Sequence, residues 1–75
     1  MTNDRLVHMA NQIARAFGTL PKTEAVASTE DHIRKFWDPR MRRKILAHLA
    51  AGGQDLDPIA REAVSRLSAG TVTQA

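Results

Sequence analysis

The chain has no cysteine and no tyrosine, one tryptophan and two phenylalanines. Without cysteine there is no disulfide staple, no thiolate metal site and no thiol nucleophile. The same lack fits a reducing compartment. No apolar run approaches the ~18 residues that a membrane-spanning helix needs. The opening Met1-Thr2-Asn3-Asp4 does not have the shape of a signal peptide. The expectation is a soluble, cytoplasmic protein. At 75 residues the sequence makes one small domain at most. A chain of that size buries only ~60% of its unfolded surface, so its core is marginal. A partner that binds the folded form would add stability.

What is present is unevenly spread. The stretch His32 to Arg43 holds the single Trp, one of the two Phe, one of three Pro and five of eleven basic side chains. Within residues 31–44, six basic residues stand against two acidic ones, a local charge of +4. The remainder of the chain therefore sums to −1 within a total of +3. The basic character belongs to one patch, which points to an acidic or phosphate-bearing surface as its counterpart.

The apolar pattern is helical throughout. Leu6, Met9, Ala10, Ile13 and Phe17 recur at three and four, which predicts a helix from Asp4 to Phe17 with one stripe facing a core. Thr2 or Asn3 is suited to cap its start. Gly18 is expected to end it in a left-handed conformation. A second helix is read from Thr23, as its cap, to Trp37. Asp38-Pro39 then ends that helix and begins a third. The residue before proline is pushed out of the helical region, and Pro39 suits the first helical position, where its missing N–H costs nothing. Gly52-Gly53 stops the third helix. Asp57-Pro58 starts a fourth, closed by Gly70, and no alternating strand pattern occurs. The reading is an all-α fold, a small bundle of three to four short helices with no sheet. Residues 1–70 form its single domain, and 71–75 a frayed tail.

No catalytic constellation is visible. Ser28, Ser65 and Ser68 lack the setting of an activated nucleophile. Gly52-Gly53 follows a helix and lacks the Lys-Ser/Thr of a phosphate loop. His8, His32 and His48 have no ligand spacing, so no metal site is read. The arginines are harder to dismiss. Arg40, Arg42 and Arg43 fall in the first turn or so of the third helix, where the dipole is positive and each exposed cation costs ~0.3–1 kcal/mol. A solvated charged face is one reading. The conflict with the dipole favours another, a partner whose carboxylates or phosphates the guanidinium groups grip. Successive helical residues point ~100° apart, so Phe36 and Trp37 cannot both face the core. Phe36 is read as the core ring, and Trp37 is left for the rim. The expected partner-binding residues are His32, Arg34, Phe36, Trp37, Arg40, Arg42 and Arg43.

The same residues carry a family resemblance. Leu6-Val7-His8-Met9-Ala10-Asn11-Gln12-Ile13 is similar to the opening block of the delta subunits of soluble, NAD-dependent, molybdenum-containing formate dehydrogenases. His32-Ile33-Arg34-Lys35-Phe36-Trp37-Asp38-Pro39-Arg40-Met41-Arg42 resembles their central block. Ala47-His48-Leu49 before Gly52-Gly53, and Leu56-Asp57-Pro58 before Ala63-Val64, resemble the rest. His8 stands where the family carries Arg.

The resemblance implies a non-enzymatic accessory subunit that supports assembly, stability or cofactor maturation of the catalytic alpha subunit. It implies direct contact with alpha, and beta and gamma subunits in the same complex. That complex would carry molybdenum bis-pterin guanine dinucleotide, iron–sulfur clusters, FMN and NAD, with no cofactor in this chain. Two other functions stay open on the residues alone. One is a small basic helical module for nucleic acid or regulation, against which stands the scatter of its cations over two helices. The other is a grip on nucleotide phosphates, including those of a maturing pterin cofactor.

Overall fold

A computed structural model describes the backbone of residues 3–74 and the side chains of residues 4–68. Four helices follow one another: α1 (Asn3–Ala16), α2 (Lys22–Phe36), α3 (Pro39–Ala50) and α4 (Pro58–Gln74). No strand occurs among the described residues, so the fold is all-α as the periodicity predicts.

The helix ends show where local chemistry decided and where it did not. Asp38 stands extended (φ −74°, ψ 166°) and its carboxylate accepts from the Met41 N–H at 2.9 Å, with Pro39 opening α3. At the other end of α3 the chain turns through Gly52 (φ 126°) and Gly53 (φ 64°). The Gly53 N–H returns to the His48 carbonyl at 2.9 Å, which satisfies an otherwise orphaned helix acceptor. Three other ends differ from expectation. Thr23 does not cap α2. The cap is Pro21, whose side chain offers no hydrogen bond, and the helix starts at Lys22. Gly18 does not take the left-handed conformation. Instead α1 closes by tightening, with Gly18 N–H on the Arg15 carbonyl at 3.1 Å and Leu20 N–H on the Phe17 carbonyl at 3.0 Å. Helix α4 runs through Gly70 to Gln74. The cap proposed at Thr2, and any fraying of side chains in 71–75, lie outside the described residues.

α1 and α4 each pack against the other three helices, whereas α2 and α3 make little contact with one another. The core between them is built from Leu6, Ala10 and Ala14 of α1, Ile33 of α2, Ile45 of α3, and Ala60, Val64 and Leu67 of α4. Small residues where helices meet let their axes approach closely. Thr29 is the buried polar exception, and its hydroxyl donates to the Ala25 carbonyl one turn back at 2.7 Å. The radius of gyration is 11.2 Å, against about 11 Å for a well-packed chain of this length.

The connection from α3 to α4 is held by three polar side chains. Asn11 of α1 donates to the Asp55 carbonyl at 2.8 Å and accepts from the Asp57 N–H at 2.9 Å. Arg61 of α4 reaches back to the Gly52 and Gly53 carbonyls at 3.2 and 2.9 Å. His48 Nε2 lies 2.7 Å from the Gln54 carbonyl, so that nitrogen carries the proton. These contacts hold Asp55 at φ 70°, a conformation Asp tolerates better than most residues.

Candidate docking surface at the corner between helices 2 and 3

The site grows from the corner at residues 36–39. Phe36 is the last residue of α2. Trp37 has already left the helix (φ −91°, ψ 137°), although its N–H still bonds the Ile33 carbonyl at 3.0 Å. Its indole lies within about 40° of the buried Ile33, one turn back, and enters the core, where Trp37 is 4% exposed. Phe36 is 71% exposed. The two rings therefore split into one core and one surface ring, as the 100° rule requires, but in the opposite order to the sequence reading. The rule separates the two directions without saying which of them the other helices cover.

The cations also divide. The guanidinium of Arg42 donates through Nη1 to the Arg34 carbonyl at 2.9 Å and to the Trp37 carbonyl at 3.0 Å. Arg42 sits unfavourably on the dipole of its own helix but caps the carbonyl end of the preceding one, where a cation is stabilising. Arg34 is also held internally. It bonds Glu30 through Nε at 2.9 Å, and its Nη2 donates to the Arg66 carbonyl at 3.2 Å. It thereby ties α2 to α4. Lys35 pairs with Asp31 at 3.2 Å with both side chains largely in water, a contact worth little. Arg40, Arg43 and Lys44 are exposed and have no hydrogen bond or ion pair to another side chain among the described residues. His32 is half-buried, its ring centroid 4.6 Å from that of Phe36 and tilted by 39°.

Of the seven residues singled out from sequence, three thus serve the fold: Trp37 in the core, Arg34 and Arg42 as ties. Four remain at the surface: His32, Phe36, Arg40 and Arg43. Phe36 and His32 overhang an open groove of about 440 Å³ between α1, the end of α2 and the start of α3. Met9 and Ile13 of α1, with Phe17 just past its end, form one wall and Met41 of α3 the other, with Trp37 also reaching the lining. The α1 wall was not singled out from sequence. Its residues read only as a core stripe, and nothing in their spacing tells which end of the stripe stays uncovered.

Among the described residues no group of three or more His, Asp or Glu is placed to hold a metal ion. No helix among them is long and apolar enough to cross a membrane. What the corner offers chemically is contact: an exposed ring, an apolar trough and unpaired cations.

A family model described as NADH-dependent formate dehydrogenase delta subunit FdsD matches residues 5–64. The chain belongs to that family. The match takes in α1, α2, α3 and the first part of α4, and so every residue of the corner and its groove. No curated protein and no solved structure matches the chain. As a delta subunit, the chain is one component of a multi-subunit formate dehydrogenase.

Proposed function

We propose that this delta subunit is a non-enzymatic accessory chain that docks on the catalytic alpha subunit and supports its assembly, stability or cofactor maturation. Beta and gamma subunits share the complex. The observation that carries the reading is Phe36: a large ring, 71% exposed, in a corner segment whose Arg40 and Arg43 make no ion pair among the described residues. An exposed ring of this size loses apolar contact with no return within the monomer, and aromatic and Arg side chains anchor interfaces more often than other types. Molybdenum bis-pterin guanine dinucleotide, iron–sulfur clusters, FMN and NAD would be held by the other subunits; for the iron–sulfur clusters the support is that this chain has no cysteine to ligate one. The complex as a whole would oxidise formate to carbon dioxide in the cytoplasm.

The test is to produce the formate dehydrogenase with and without this chain and compare molybdenum content, subunit composition and formate-oxidising activity. The expected result is that the preparation lacking the chain carries less molybdenum or loses subunits. Equal metal content, equal activity and unchanged subunit composition would contradict an accessory role.

A further inference from the structure

We propose that the groove between α1 and the α2–α3 corner seats an amphipathic helix of the partner, with apolar anchors at helical spacing and carboxylates at their flanks. The inference rests on the docking role proposed above and adds the kind of element that is recognised.

The first observation is the phase of α2. Ala25, Thr29 and Phe36 are spaced by four and seven residues, so at 100° per residue they point within about 40° of one another. Ala25 and Thr29 are fully buried, yet Phe36 is 71% exposed. The buried face of α2 therefore runs past the end of the intramolecular core. Where it leaves the core it meets the groove.

The second observation is the facing wall. Met9, Ile13 and Ala16 follow one another on α1 at four and three and line the same groove. At 1.5 Å per residue they form a stripe about 10 Å long, two turns of helix. Met9 and Met41 face the groove from two different helices, and such flexible, polarisable side chains repack around an inserted ring or branched chain. A volume of about 440 Å³ does not take a whole helix. It takes the two or three anchor side chains that a helix lays into a trough.

The third observation chooses the occupant. The trough is apolar and its surroundings are basic. Lys44 lies one turn after Met41 on α3, and Arg5 one turn before Met9 on α1. Both are exposed and make no ion pair among the described residues. A second copy of this chain would bring the same cations to a two-fold contact, and like charges set against each other are costly. A segment with Asp or Glu beside its anchors meets the cations with opposite charge.

Gln12 and Ala16 line the groove and are exposed, so they can be changed without touching the core. The experiment places photoreactive p-benzoylphenylalanine at position 36 and irradiates the full chain bound to the formate dehydrogenase complex of its own source. In parallel it measures the affinity of Gln12→Glu/Ala16→Glu, of Gln12→Arg and of Ser65→Glu on α4. The expected cross-link lies in an alpha-subunit helix with apolar residues at three and four and acidic residues beside them. The double Glu variant should bind about tenfold or more weakly, and Gln12→Arg and Ser65→Glu close to wild type.

The outcomes separate the two proposals. A cross-link to an acidic amphipathic helix of another subunit keeps the groove reading and removes the alpha subunit as the docking site. A cross-link to a second copy of this chain, or to an alpha segment without that pattern, overturns the groove reading, as does wild-type affinity in the double Glu variant. No binding of the wild-type chain to the complex overturns both.

Discussion

Trp37 and Phe36 are neighbours in sequence with opposite duties, and substitutions should separate them. Trp37→Ala removes a core ring that is 4% exposed and should cost about 3–5 kcal/mol. For a marginal small domain that is most or all of the stability. Phe36→Ala takes away a ring already in water and should change stability by no more than about 0.5 kcal/mol. Urea unfolding followed by circular dichroism distinguishes the two, and equal losses would contradict the assignment. The arginines give a second pair. Arg42→Ala deletes both hydrogen bonds to the carbonyls of Arg34 and Trp37 and should lose about 1–3 kcal/mol. Arg40→Ala breaks no ion pair among the described residues and removes a cation from the positive end of α3, so it should hold or raise stability, by no more than about 1 kcal/mol. None of this division was visible in the residues alone. The dipole argument rightly marks Arg42 as misplaced on α3, but it considers one helix at a time. The carbonyls that Arg42 serves belong to α2, and only the folded corner brings them within reach.

Helices are the scale at which the sequence was most legible, because their signals are local. Periods of three and four, the Asp38-Pro39 start and the Gly52-Gly53 stop all depend on a few adjacent residues, and all three appear in the structure. Thr23 and Gly18 were misread because each sits beside an equally workable solution. Pro21 is pre-set for a helix start, and α1 closes by tightened turns without a left-handed residue. The legible signals predict measurable costs. Asp38→Ala removes the cap on Met41 N–H and should destabilise by about 0.5–2 kcal/mol. Gly53→Ala would put a Cβ 2.8 Å from Arg61 Nη1 and 3.0 Å from Leu49 Cδ1 at φ 64°, with a cost of about 1–3 kcal/mol. Gly52→Ala meets no atom within 4 Å but stands at φ 126°, which a Cβ tolerates less well than the left-handed φ 64° of Gly53, so its cost is conformational. Thermal melts should place both variants below wild type, and a wild-type midpoint in both would contradict the left-handed turn.

At the scale of the whole molecule, the four helices close a common core and leave a groove at the corner of α2 and α3. There the buried stripe of α2 and the outer stripe of α1 continue into the groove, with Phe36 above it and unpaired cations beside it. The basic patch was legible as charge, and the resemblance to delta subunits was legible in its central block. Which of those residues face outward was not, because it depends on which faces of the corner the other helices cover. The account's central claim is that this corner is how the subunit docks on the alpha subunit. The most direct test is the affinity of the Phe36→Ala/Arg40→Ala double variant for the purified alpha subunit, with folding checked by circular dichroism. Loss of an anchoring ring and its adjacent guanidinium should weaken binding by about a hundredfold while the thermal midpoint stays at the wild-type value. Binding within about threefold of wild type would contradict the claim.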